Sequence, residues 1–260
     1  MTSGSKGLYL DDLAMRFGGV QVFEHVTFNI PPERITACIG PNGAGKTTLI
    51  NAVCGVLRAQ SGHVFLDGKS LDGIRPHELV RHGIARTFQD VRIFPYLTVL
   101  ENVLIAMPNQ RGEKLRHLFR PGGGVSTQER RHREDAGALL DAVALTDAAN
   151  RPAGELPFGR QKLLSLVRAV ATGARFLLLD EPVAGVEVEL VPRVMALVTK
   201  LARVEGRAAL LVEHNVDVVR EVANQVIVLQ GGGIIASGSC DQVLRDERVI
   251  TEYLGRIYDA

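Results

Sequence analysis

Cysteine is scarce: Cys38, Cys54 and Cys240 are three in 260 residues, far apart and odd in number. They offer no disulfide framework and no metal-ligand spacing, so buried reduced thiols in a cytosolic protein are expected. Long apolar runs are missing too. No stretch approaches the ~18 residues of a bilayer-spanning helix, so work at a membrane requires another chain to hold this one there. The start, Met1-Thr2-Ser3-Gly4-Ser5-Lys6, has neither an apolar leader core nor a lipidation signal and reads as a short flexible terminus, 1–6. Charge excess is also lacking. A net charge of +1 gives nucleic acid no global hold. There is no internal repeat and no sustained heptad pattern. What remains is ordinary globular composition, 46% hydrophobic and 23% charged, in a chain able to bury a sizeable core.

What is present centres on Gly40-Pro41-Asn42-Gly43-Ala44-Gly45-Lys46-Thr47-Thr48, which fits G-x-x-x-x-G-K-[ST] at every fixed position. Ile35–Ile39 before it reads as a buried strand, and Leu49–Val53 after it as the apolar side of a helix. Glycines let backbone N–H groups turn inward around phosphate oxygens with no Cβ in the way. The helix dipole adds about half an elementary charge aimed at the same anion. Lys46 is then expected on the β- and γ-phosphates and the Thr47 hydroxyl on Mg²⁺. The bland alternative is a glycine-rich turn with an exposed lysine.

Residues 8–17 and 20–30 alternate around Gly18-Gly19 as a hairpin. Strands are expected at His63–Leu66 and Ile84–Phe88, with a helix-like stretch at 76–82 between them. Thr98 and Glu101 have capping-box spacing for a helix over 98–107. The stretch 108–135 differs, with Pro108, Pro121, glycines at 122–124 and the basic residues Arg111, Lys114, Arg116, Arg120, Arg130, Arg131 and Arg133. It reads as a solvated surface by default, and as a membrane-proximal patch over 111–133 in the sharper alternative. Helices at about 127–145 and 160–172 precede the strand Phe176–Asp180. A helix at about 189–204, the strand 209–212, a helix from Asn215, strands at 225–230 and 234–238, and two terminal helices follow. Strands alternating with helices predict an α/β fold with a mainly parallel sheet. The strand-free block, about 95–172, predicts a separate helical lobe.

Asp180-Glu181-Pro182 closes a run of four apolar residues. A carboxylate at the end of a parallel strand sits in the crevice where such sheets bind ligands. Asp180 is suited to hold Mg²⁺ through a water, and Glu181 to orient and partly deprotonate an attacking water. Alone, the segment could equally be a polar strand terminus.

The phosphate loop, Gln89 after a strand, Leu156-Pro157-Phe158-Gly159-Arg160-Gln161, Asp180-Glu181-Pro182 and His214 occur in the order of ATP-binding cassette (ABC) proteins, which nearly the whole chain resembles. Arg86–Phe94, the enlarged basic insert and the ending Val249–Gly255 resemble the subfamily serving importers of branched-chain and other hydrophobic amino acids. The resemblance implies one ABC ATPase domain over 7–260, a P-loop core with an N-terminal antiparallel β subdomain and an inserted helical subdomain. It implies that Phe17 stacks on adenine, an inward-facing core phenylalanine being the alternative. Gln89 would touch Mg²⁺ and the attacking water, and His214 the γ-phosphate. Leu156 to Arg160 would grip the nucleotide of an opposite cassette, and Ala184–Glu187 would lie where two cassettes meet. Pro157 replaces the family's serine, removing a hydroxyl and an N–H. Arg160 replaces glutamine, either as a mere departure or as a phosphate ligand.

The resulting expectation is an ATP- and Mg²⁺-dependent ATPase subunit of an importer, peripheral on the cytoplasmic face of the cell membrane. Its partners would be membrane-spanning permease subunits and a second ABC ATPase, as a heterodimer rather than a homodimer, without nucleic acid. Asp90 to Thr98 would contact the permease. The alternatives are a cassette for another cargo, such as urea or an exported lipid, and a cassette outside transport.

Overall fold

A computed structural model describes residues 6–109 and 124–251. The first five residues, the insert's Arg111, Lys114, Arg116 and Arg120, and the closing Glu252–Gly255 lie outside those residues. Two compact units emerge. The first comprises Met1–Arg86, Arg175–Glu181 and Val198–Ala260, and the second Thr87–Ala174 and Pro182–Leu197.

The chain begins with β1 (Leu8–Phe17), β2 (Val20–Ile30), β3 (Ile35–Ile39), helix α1 (Lys46–Val53), β4 (Ser61–Leu66), β5 (Lys69–Ser70) and β6 (Ile84–Arg86). Helices α2 (Val99–Ala106), α3 (Gly124–Ala142) and α4 (Phe158–Ala171) follow. Then come β7 (Phe176–Asp180), α5 (Val191–Arg203), β8 (Ala208–Val212) and α6 (Val216–Val222). The last elements among the described residues are β9 (Gln225–Gln230), β10 (Gly233–Gly238), α7 (Cys240–Leu244) and α8 (Glu247–Val249).

In the first unit β2-β1-β4-β5 form an antiparallel sheet, and β10-β9-β3-β8-β7-β6 a second sheet that is parallel except for β10. This is the expected α/β class with an N-terminal antiparallel sheet. Every residue of β3, β7 and β8 is buried, which explains their largely apolar sequences, with Thr36 and Asp180 as the polar members. One buried cluster joins Leu8, Leu10 and Phe23 of the antiparallel sheet, Leu49 and Ile50 of α1, and Leu178 and Leu210 of the parallel sheet. Burying a side chain of that size is worth about 1.5–3 kcal/mol. Leu49 and Ile50 therefore pin α1 at its first turns, directly after the glycine loop.

Three local readings are refined. The helix-like stretch Pro76–His82 is a 3₁₀ helix. Pro76 opens it and Gly83, at φ 84°, ends it with an N–H···O bond of 3.0 Å to Val80, one residue tighter than α geometry. Strand β6 stops at Arg86, and Thr87 and Phe88 belong to the second unit. Val188–Leu190 is a 3₁₀ turn that precedes α5.

In the second unit, α2 opens with the expected capping box. Glu101 N donates to Thr98 Oγ1 at 3.2 Å and Thr98 N donates to Glu101 Oε2 at 2.8 Å. Buried Leu140, Val143 and Leu145 come from α3 and its exit, Val99 and Val103 from α2, and Leu163, Leu164 and Val167 from α4. Among the described residues of 87–174 there is no strand.

Candidate functional site

The loop after β3 is shaped by backbone that only glycine adopts freely. Gly40 (φ 152°) lies so close to the Leu229 carbonyl that a Cβ would overlap it, Gly43 has φ 83°, and Gly45 has φ 94°. Gly45 is also the N-cap of α1 and places no side chain over the helix end. The first N–H groups of α1 thus lack a side-chain partner, as an anion site requires.

Lys46 is buried, which removes the exposed-lysine alternative. Its ammonium donates to the carbonyls of Gly40 at 2.8 Å and Pro41 at 3.0 Å. The loop's own oxygens hold the charge in place, a pre-formed position for a phosphate ligand. Next to it, Thr47 Oγ1 donates to Asp180 Oδ1 at 3.3 Å. Asp180 ends β7 and is 1% exposed.

Glu181 follows in the left-handed region at φ 47°, and its N–H donates to the Val212 carbonyl at 2.9 Å. Such backbone costs a non-glycine residue about 1–2 kcal/mol and is common where function fixes the geometry. Its carboxylate lies 3.5 Å from His214 Nδ1, with the histidine side chain 52% exposed and the glutamate 18%. The parallel pairing of β7 with β8 sets Asp180 opposite Val212, which brings the acidic pair and His214 to one sheet end. The first unit therefore gathers Gly40–Thr48, Asp180, Glu181 and His214.

Thr47 and Asp180 offer two oxygen donors side by side, a set suited to a hard divalent cation that takes its other ligands from phosphate and water. No cluster of three His, Cys, Asp or Glu side chains able to hold a metal occurs among the described residues. Two of the three cysteines are buried. Burial pushes Cys38 up to about 12 and Cys54 up to about 11.

Phe17 is 49% exposed at the hairpin end, so it is not a core side chain. Gln89, exposed, belongs to the second unit, as does 156–160. There Leu156 is buried, Pro157 is the N-cap of α4 with no capping bond, and Phe158 is 57% exposed. Gly159 abuts Gly185: a Cβ would meet the Gly185 carbonyl oxygen at 2.5 Å. Arg160 has its guanidinium on Asp147, at 3.0 and 3.2 Å.

Asn102 and Arg168 were not foreseen. Asn102, fully buried, accepts from Phe94 N at 2.9 Å and donates to the carbonyls of Phe94 and Thr98 at 2.9 and 3.0 Å, shaping the loop after Gln89. The signal was an amide on the apolar face of 98–107. Arg168 lies over the Phe94 ring at 4.9 Å and donates to the Arg92 carbonyl.

A glycine loop entering a pinned helix, a buried lysine, and an acidic pair at the end of a neighbouring parallel strand define a nucleoside-triphosphate-binding protein of the P-loop class. The profile of the family described as ABC transporter matches residues 23–184. The high-affinity branched-chain amino acid transport ATP-binding protein BraF of Pseudomonas aeruginosa is 36% identical over 249 residues, 95% of this chain and 97% of its own length. A probable branched-chain amino acid transport ATP-binding protein, LivG of Archaeoglobus fulgidus, is 36% identical over 250 residues, 96% of each chain. A solved nucleotide-free ATP-binding cassette from an ABC transporter matches with a TM-score of 0.78 at 34% identity, covering 94% of this chain and 97% of that one. The chain belongs to the ABC transporter family, as an ATP-binding and ATP-hydrolysing subunit.

Proposed function

We propose that this chain is the ATPase subunit of an importer for branched-chain or other hydrophobic amino acids. It works on the cytoplasmic face of the cell membrane with membrane-spanning permease subunits, and nucleic acid plays no part. The names of the relatives support the cargo class. The observation that carries the enzymology is the junction of buried Lys46 with Thr47, Asp180 and Glu181.

In this reading residues 7–260 are one ABC ATPase domain. The first compact unit is its ATP-binding core, and the helical subdomain, about 95–172, falls in the second. Gly40, Pro41, Asn42, Gly43, Ala44 and Gly45 wrap the phosphates with backbone N–H groups, Lys46 neutralises β- and γ-oxygens, and Thr48 continues the first turn of α1. Thr47, Asp180 and Gln89 would hold Mg²⁺, which when bound would offset the charge developing on the phosphate. Glu181 accepts the proton of the attacking water at a carboxylate oxygen, Gln89 orients that water, and His214 donates toward the γ-phosphate. Phe17 supplies a surface ring for the adenine.

Residues Leu156 to Gly159 face the nucleotide of a second cassette. Pro157 leaves that face without the family's serine hydroxyl, which favours a paralogous partner over self-pairing. Co-purification with the permease and second ATPase genes, then turnover in vesicles with single amino acids, tests this. Branched-chain amino acids should stimulate ATP hydrolysis, and stimulation only by a chemically unrelated solute would overturn the cargo.

A further inference from the structure

Arg160 occupies the first turn of α4, where a cation opposes the positive end of the helix dipole. Its charge is nevertheless satisfied. Nη1 donates to Asp147 Oδ2 at 3.0 Å, and Nη2 donates to Asp147 Oδ1 at 3.2 Å and to the Ala144 carbonyl at 3.1 Å. This is the paired fork geometry in which guanidinium differs from ammonium. Ala144 has φ 55°, a left-handed backbone in a residue with a Cβ, and it presents its carbonyl to that fork.

The neighbours of Arg160 are equally committed. Gln161 Nε2 donates to the Leu156 carbonyl at 2.9 Å, and Lys162 Nζ donates to the Ala184 carbonyl at 3.0 Å. Gly159 is pressed against the Gly185 backbone. Four consecutive residues, 159–162, thus hold the start of α4 to three stretches of the second unit, around 144–147, at 156 and at 184–185. The start itself carries no capping side chain, because its N-cap is Pro157.

We propose that Arg160 is a positioning residue and not a phosphate ligand: its fork on Asp147 and Ala144 fixes the first turn of α4, so that the backbone donors of Phe158 and Gly159 are presented in a set attitude. The proposal rests on the reading above that 156–159 faces the nucleotide of a second cassette. It assigns Asp147, thirteen residues away in the turn Thr146–Ala148, to the same device. The Arg160 fork also holds the Asp147 carboxyl below its usual range.

The test compares Arg160→Gln, Asp147→Asn, the double variant and Arg160→Lys in the complete transporter complex. ATP affinity, turnover at saturating ATP, KM and melting temperature are measured for each. Each single change should lower saturated turnover about three- to tenfold, the range of a contacting pair, with ATP affinity within about twofold of wild type. The double variant should be no worse than the poorer single one. Arg160→Lys, which keeps the charge but loses the fork, should retain an intermediate rate. A phosphate ligand would behave otherwise: Arg160→Gln would lose more than tenfold while Asp147→Asn stayed level or rose, and that result overturns the proposal. Unchanged turnover in both singles, or a lowered melting temperature with unchanged turnover, overturns it as well. A wild-type complex that binds ATP and never hydrolyses it would remove the functional reading first, and the positioning role with it.

Discussion

The glycine loop before α1 and the segment before α4 both end at a helix start that no side chain caps, yet they are built differently. The loop relies on backbone: Gly43 and Gly45 at positive φ, Gly40 against the Leu229 carbonyl, and one lysine held by the loop's own oxygens. The start of α4 relies on side chains, with Arg160, Gln161 and Lys162 gripping Asp147, Leu156 and Ala184. Elsewhere Thr98, Asn215 and Ser239 close the starts of α2, α6 and α7 with ordinary capping bonds. The starts of α1 and α4, without such a bond, are those assigned to phosphate. A site for the chain's own nucleotide needs donors that wrap, whereas a face offered to another cassette needs donors that are held rigid.

The widest break of this comparison comes from Glu181→Gln. In the proposed roles Glu181 acts on water and the loop on phosphate, so turnover should fall by about 10²–10⁴-fold while ATP affinity persists. Titrating affinity beside turnover checks the separation, and equal loss of both would contradict it. Lys46→Ala should weaken ATP binding to the isolated chain by about 10–10²-fold, the value of a charge-assisted bond of about 1.5–3 kcal/mol. Pro157→Ser, on the other face, should leave that affinity unchanged.

Smaller effects sharpen the contrast within the second unit. Thr98→Ala removes a capping box and should destabilise the chain by about 1 kcal/mol in urea unfolding. ATP affinity should not move. The least effect is on pH dependence. The folded value of Asp147 is depressed, so its contribution is present above the ordinary value of 3.8 and is lost as pH falls through the folded value. Melting temperatures of wild type and Asp147→Asn should stay apart at neutral pH and converge only below about 3.8. Convergence near pH 6 would mean the fork is not formed in solution.

The strand–loop–helix context of the phosphate loop was legible because each part has a local cause: an apolar run, obligatory glycines, and Leu49 and Ile50 at helical spacing. The boxes at Thr98 and the cap at Asn215 were legible in the same way. Phe17 was not. Bulges between Leu10 and Leu13 and between Leu13 and Met15 interrupt the regular alternation of β1, and its last residue passes beyond the core. Nor was Arg160, because its partner lies on a turn that no periodicity relates to α4. The helical turn over 76–82 was legible but its 3₁₀ type was not, because two short turns carry too little pattern to separate i→i+3 from i→i+4 bonding.

The central claim is that one chain supplies two unlike halves of two different sites: a complete nucleotide grip and a face meant for another cassette's nucleotide. Measuring ATP affinity and turnover per chain across a dilution series, with and without the partner ATPase and permease, tests it most directly. Affinity should be independent of concentration, while turnover should be slow for the isolated chain, fall further on dilution and rise when the partners are added. Turnover per chain that stays constant on dilution, and equals that of the full complex, would show that both halves serve the same nucleotide.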